Sequence, residues 1–178
     1  MKIKSISNGG LAIALLTICS WISIPCTIPF TMQTFAIFLI HNVFGGKYGT
    51  LYISCYIGCG LFGLPVFSNF QGGISVLLGP TGGYLLGFLI SSLFLWATFS
   101  LWSGKKDRFL LFSLIGLFLC YSFGSFWFCI VDSISLNITS LFHVWMVCVF
   151  PFVIPDIVKI FLADRIGKRL VHQLPWTR

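Results

Sequence analysis

Six apolar segments, at about 9–24, 32–44, 48–63, 81–102, 109–130 and 138–163, take up most of this chain. Stretches that are polar or Gly-rich separate them. At about 20 apolar residues per span, six crossings of a bilayer would use roughly two-thirds of the length. The remainder is too short for a separate domain, so one transmembrane domain is expected over residues 1–178. Only 8% of the 178 residues are charged and 57% are hydrophobic, whereas a soluble domain carries about 25% charged residues. Such a chain cannot coat a globule in water. The expected fold class is an all-α integral membrane protein, a bundle of six transmembrane helices. The stretch that begins Met1-Lys-Ile-Lys4 and runs on from Gly9 lacks a small-x-small cleavage site, so a retained first helix is expected rather than a signal peptide.

The charges between the segments sort by loop. Lys2 and Lys4 precede the first, Lys47 lies between the second and third, and Lys105, Lys106 and Arg108 lie between the fourth and fifth. Arg165, Lys168, Arg169 and Arg178 close the chain. Ten of the eleven Lys and Arg, all but Lys159, therefore fall on one side of an even topology. The positive-inside rule then places both termini in the cytoplasm, N-in and C-in. The net charge of +7 is a topology signal, and no nucleic-acid partner is expected. Seven Cys are scattered at spacings that fit neither a zinc site nor a redox pair, and buried Cys serves as a small hydrophobe. His41 and His143 are expected to be hydrogen-bonded structural residues.

Against this background Asp156 and Lys159 stand out, an acid and a base three residues apart in apolar sequence and the only such pairing expected. Residues i and i+3 share a helix face. An ionisable group inside a span costs about 2.5–3.5 kcal/mol on insertion scales, so such a pair marks a functional site by default. A helix-locking pair is the alternative. Pro151 and Pro155 lack N–H groups and rule out a straight helix over 138–163. The expected solution is a short half-helix near 139–150, a break at 151–154, and a final helix from Pro155 to about Gln173. Broken backbone at membrane depth is tolerated where it lines a cavity.

Two loops on the side opposite the cations combine Gly, Pro, aromatics and uncharged polar groups. One is Ile24-Pro-Cys-Thr-Ile-Pro-Phe-Thr31-Met-Gln33-Thr. The other runs from Gly63 through Asn69 and Gln71 to Thr81 and Tyr84. About 17 residues without regular structure in a compact bundle mark a functional loop, and long ordered external loops over a ligand pocket are the expectation. Gly58, Gly60, Gly63, Gly83 and Gly87 suit close helix packing. Gly10 and Ala14 give the first helix a small-xxx-small face.

Four motifs occur in order: Pro29-Phe-Thr-Met-Gln33-Thr, Gly63-Leu-Pro-Val-Phe67, Gly79-Pro-Thr-Gly-Gly-Tyr84-Leu-Leu-Gly-Phe88, and Pro151-Phe-Val-Ile-Pro-Asp156-Ile-Val-Lys159. Over residues 10–170 the chain resembles the BioY family, the biotin-specific S components of bacterial energy-coupling-factor transporters. The resemblance implies six membrane helices in the bacterial cytoplasmic membrane. It also implies capture of biotin from outside, a transmembrane coupling protein (T component) and two ATP-binding cassette ATPases as partners. Biotin is the substrate, and no cofactor is implied. The family's coupling-protein docking face usually reads Ala-x-x-x-Ala in the first helix, where this chain has Gly10-x-x-x-Ala14. The 68–71 stretch reads Ser-Asn-Phe-Gln where many relatives have smaller residues.

The chemistry suits that substrate. An ionised Asp156 accepts from ureido N–H groups, and Lys159 donates to either the ureido carbonyl or the valerate carboxylate. Thr31, Gln33, Asn69 and Tyr84 supply neutral hydrogen-bond groups, and Trp127 and Trp145 are either ring walls or core anchors. No Gly-x-x-x-x-Gly-Lys-[Ser/Thr] motif is present, so the chain carries no P-loop of its own. An intramembrane enzyme built on Asp156 would need a second catalytic group nearby, and none is legible.

Overall fold

The computed structural model describes residues 2–25, 28–103, 108–132 and 138–173. Cys26, Lys105, Lys106, Asn137 and Arg178 lie outside the described residues, as do the side chains of Lys2 and Lys4. Helices dominate: α1 (Lys2–Trp21), α2 (Gln33–Leu61), α3 (Ile74–Leu78), α4 (Gly82–Ala97), α5 (Phe99–Trp102), α6 (Arg108–Val131), α7 (Ile138–Cys148) and α8 (Phe150–Gln173). Two short strands, β1 (Ser23–Ile24) and β2 (Phe30–Thr31), pair antiparallel between α1 and α2.

α2 is not one rod. Gln33 Nε2 donates to the Tyr56 hydroxyl at 2.7 Å although 23 residues separate them, a distance of about 35 Å along a straight helix. The chain therefore folds back on itself as a helical hairpin. The reversal is at Gly45, whose φ of 77° and ψ of 179° interrupt the helix. A side chain there would meet the Phe99 ring as well as the backbone strain. The connection between the second and third apolar segments is thus reduced to one non-helical residue, and Phe44 packs edge-on against Tyr52 across it, with ring centroids 5.4 Å apart.

α4 runs along α6 in a seam that glycines make possible. A Cβ on Gly87 would stand 2.8 Å from the Cys120 carbonyl oxygen, and one on Gly124 would stand 2.5 Å from the Tyr84 ring. Gly83 receives the Trp127 side chain in the same way. Small residues substitute here for the hydrophobic drive that lipid does not supply. Gly58 has open space around it and takes no part in packing.

Two expectations need correction. The break in the last segment falls at Val149, with a 51° bend between α7 and α8, and not at 151–154. Starting α8 at Phe150 puts Pro151 in its first turn, where a missing N–H costs nothing, and leaves Pro155 inside the helix. The 63–80 stretch is not irregular throughout. It holds a 3-10 turn at Ser68–Phe70 and the short helix α3.

Among the described residues, Arg108–Val131 is the one helix that is by itself long and apolar enough to cross a membrane. The bent α7–α8 pair passes the same test together, and Ser5–Trp21 and Gly82–Ala97 are shorter apolar helices. The bundle has two unlike ends. Lys47 and Lys168 line a hollow at the end that holds the Gly45 turn, while the end with β1 and β2 carries the Asp156–Lys159 pair.

Candidate functional site

Asp156 and Lys159 lie in the second and third turns of α8, about one helical turn apart and both buried. Lys159 Nζ and Asp156 Oδ1 are 2.7 Å apart. Each charge has further partners on other elements. The Tyr121 hydroxyl of α6 donates to Asp156 Oδ2 at 2.5 Å, and the Thr34 hydroxyl of α2 donates to the same oxygen at 3.4 Å. Lys159 Nζ donates to the Thr31 carbonyl of β2 at 2.7 Å and stands 3.5 Å from the centre of the Phe30 ring. A buried ion pair holds its desolvated charges only when hydrogen bonds satisfy the remaining lone pairs and protons. Here three elements supply them.

A cleft opens above the pair. Its free volume is about 60 Å³, below the roughly 300–1,000 Å³ usual for a small-molecule site, so a ligand enters only as the walls part. Asp156 forms part of its lining, with Thr31, Gln33, Thr34, Tyr84 and Tyr121. Lys159 does not: it lies beneath Phe30, whose ring stacks on Phe152 with centroids 5.6 Å apart. Apolar walls come from Leu85, Phe88 and Val76.

The other residues singled out from sequence are placed unequally. Thr31 and Gln33 are buried at the cleft and bonded to each other, the Thr31 hydroxyl donating to Gln33 Oε1 at 3.1 Å. Tyr84 lines the cleft with its hydroxyl 3.4 Å from that of Ser125. Asn69 is exposed, at a φ of 56°, and accepts from the Ser23 hydroxyl at 3.3 Å. It stands outside the cleft. Trp127 and Trp145 are also outside it. Trp127 donates to the Gly79 carbonyl at 3.1 Å and Trp145 packs on Phe118. Gly10 and Ala14 are exposed on α1.

Several contributors escaped the sequence reading. Tyr121 sits mid-helix without a flanking motif, and Thr34 closes the 29–34 motif at the start of α2; only the packing of α2 and α6 on α8 brings them to Asp156. Cys120 and Cys148, expected as filler, line the cleft. Asp156–Lys159 is also not the only acid–base pair of α8. Asp164 is buried, accepts from Lys168 at 2.6 Å and from the Asn42 amide at 3.2 Å, and belongs to the basic end. His41 is fully buried at the hairpin turn, beside the Gly45 backbone and against Gly49.

A helical bundle of this shape, with a covered cleft at one end and cations at the other, is the fold of a transporter substrate-binding component. It superposes on the solved S component for biotin from an ECF-type ABC transporter with a TM-score of 0.82 and 26% identity, covering 95% of this chain and 91% of that one. The BioY family model matches residues 1–176, and the chain belongs to that family. It is 39% identical to the biotin transporter BioY of Thermotoga maritima, over 94% of this chain and 95% of the relative. The probable biotin transporter BioY of Pyrococcus horikoshii is 37% identical, over 96% and 98% respectively. A family of membrane transporters accounts for a composition that no soluble domain would tolerate.

Proposed function

We propose that this chain is the substrate-binding membrane subunit that captures biotin for an energy-coupling-factor transporter, a transport component and not an enzyme. The observation that carries the reading is the buried Asp156–Lys159 pair at the foot of a covered cleft in a BioY-family chain. Asp156 keeps acceptor capacity for the ureido N–H groups of biotin. A carboxylate has about four acceptor sites, and Tyr121, Thr34 and Lys159 use three. Lys159 meets an acceptor of the ligand once Phe30 shifts from above it. Thr31, Gln33 and Tyr84 position the polar end, and Leu85, Phe88 and Phe152 enclose the apolar part. Asn69 acts from the outer loop, through Ser23.

The finer assignments belong to the same proposal. Both halves of the α2 hairpin, α1, α4 with α5, α6 and α8 make six spans of one domain, with both termini in the cytoplasm and the cleft outside. A coupling protein docks on the exposed Gly10–Ala14 face of α1, and two ATPases energise uptake across the cytoplasmic membrane. Titration of biotin into ligand-stripped protein in detergent tests the central claim. Tight, saturable heat that is weakened in folded Asp156→Ala and Lys159→Ala variants supports it. A well-folded wild type that takes up no biotin refutes it.

A further inference from the structure

The loop that follows α2 has two edges with opposite chemistry. Residues 62–81 contain no Asp, Glu, Lys or Arg. The inner edge reaches the cleft, where Ser68, Val76 and Thr81 form part of its wall. The outer edge exposes large apolar side chains, Phe62 at 91%, Phe70 at 64%, Ile74 at 62% and Leu78 at 61%, with the uncharged polar Asn69, Gln71 and Ser75 between them. Ile74 and Leu78 share one face of α3 at i and i+4, while Leu77 on the same short helix is buried.

This loop is held, not loose. Phe67 is buried in the space that Gly60 leaves, and the Gly73 N–H donates to the Gly60 carbonyl at 2.7 Å. The Val66 carbonyl accepts from Ser20 at 2.5 Å and from Tyr56 at 2.8 Å. Asn69 and Phe70 both adopt left-handed φ, 56° and 57°. For an aromatic residue that conformation is strained and persists only where the surroundings impose it. Its effect is to turn the Phe70 ring outward, against Trp21 at a centroid distance of 4.7 Å.

Trp21 identifies what lies outside. It ends α1 beside the exposed Ile18 and Ile22, and its indole N–H is bonded to the Pro65 carbonyl at 3.0 Å. A tryptophan with an apolar body and a tethered N–H at a helix end is an interface anchor. The apolar edge of the loop is thus continuous with the exposed Ile18 and Ile22 at the end of α1. A protein partner would be met by a polar rim, and this stretch has no charge to offer one.

We propose that residues 62–81 form a lipid-facing wall of the cleft, with the Phe62, Phe70, Ile74 and Leu78 side chains dipping into the leaflet at the cleft end and the backbone with Asn69, Gln71 and Ser75 held at headgroup level. The bilayer then holds in place the wall that the inner edge presents to the ligand, so leaflet packing sets how readily the cleft opens. The link to ligand release rests on the biotin-binding reading; the immersion does not.

Two measurements test it on the full chain. The photo-crosslinking residue p-benzoylphenylalanine is placed at Phe70 or Ile74, and the protein is irradiated in phosphatidylcholine–phosphatidylglycerol vesicles. Intact mass should show lipid adducts at both sites, as at the exposed Leu111 of α6, and none at the buried Phe67. Labelling at Leu111 without labelling at Phe70 and Ile74 overturns the proposal. So does cross-linking in native membranes to a second copy or to the coupling protein in place of lipid. In nanodiscs of short and long acyl chains, biotin release should differ in rate for the wild type and differ less for Phe70→Ser/Ile74→Ser. Equal wild-type rates overturn the coupling of lipid to release. The cross-link needs no ligand, so a failure to bind biotin would sink the functional reading and leave the immersion result standing.

Discussion

Asp156→Asn separates the two jobs that a buried pair can do. The replacement keeps the shape of the side chain and exchanges one acceptor oxygen for an amino group. With its oxygen turned to Tyr121 and Thr34, the new NH₂ faces Lys159 Nζ, which now stands 2.7 Å from Asp156 Oδ1. A ligand N–H arriving at that edge meets a donor in place of an acceptor. Losing a hydrogen bond to a charged group costs about 1.5–3 kcal/mol, so the dissociation constant for biotin should rise roughly tenfold to a hundredfold. Stability should fall as well. Removing one partner of a buried pair costs about 3–5 kcal/mol; the Thr31 carbonyl and the Phe30 ring remain with Lys159 and put the loss at the lower end. The double variant Asp156→Asn/Lys159→Met no longer buries a charge and should regain most of the melting temperature while binding biotin no better. Titration calorimetry and a thermal melt in the same detergent read both quantities. Wild-type affinity in a folded Asp156→Asn protein would refute the assignment of the ligand's N–H groups to this carboxylate.

Three further substitutions probe neighbouring parts of the structure. Tyr121→Phe removes the 2.5 Å donor to Asp156 and should cost about 1.5–3 kcal/mol of stability, with less effect on biotin affinity than Asp156→Asn; an unchanged melt would show that the bond contributes nothing. Gly45→Ala forces a side chain into a φ of 77° and ψ of 179° and should destabilise by about 1–3 kcal/mol. Its biotin affinity should match the wild type, because the turn lies at the opposite end of the bundle, and a large loss of affinity would contradict that separation. Lys168→Gln opens the Asp164 pair, whose lysine side chain is 39% exposed. The carboxylate is buried and the lysine is reached by solvent, so the loss should lie between the about 0–1 kcal/mol of an exposed pair and the about 3–5 kcal/mol of a buried one, and a melt lowered as far as that of Asp156→Asn would refute the contrast between the two pairs of α8.

The sequence makes the site's charges legible and leaves its scaffold obscure, for a physical reason. A charge in apolar sequence is rare enough to be conspicuous, so Asp156 and Lys159 are found at once. A tyrosine or threonine in a span is ordinary, and Tyr121 and Thr34 acquire meaning only when α6 and α2 dock on α8. The position of the α2 reversal was readable from Gly45 and Gly46, but its tightness came from φ at one residue. Prolines gave the wrong boundary in the last segment. A helix can begin one residue before Pro151, and the bend then falls at Val149, where no residue type announces it. Asp164 was passed over because Arg165, Lys168 and Arg169 around it read as a cytoplasmic cluster, although its side chain turns inward to Asn42.

Helix lock and ligand site are not rival descriptions of Asp156 and Lys159. Through Tyr121, Thr34 and the Thr31 carbonyl the pair ties α8 to α6, to α2 and to β2. Of these ties the one to β2 is the least protected. Thr31 belongs to a two-residue strand, whereas Tyr121 and Thr34 belong to helices of 24 and 29 residues. Lys159 has three N–H donors; two are used, and the third lies toward Phe30. An acceptor on the ligand reaches that ammonium only by moving Phe30, the neighbour of Thr31 in β2. On the proposed reading, the strand that covers the cleft is therefore held shut by the same lysine that the ligand engages. Binding exchanges one set of partners on a buried cation for another, and at no stage leaves the charge bare.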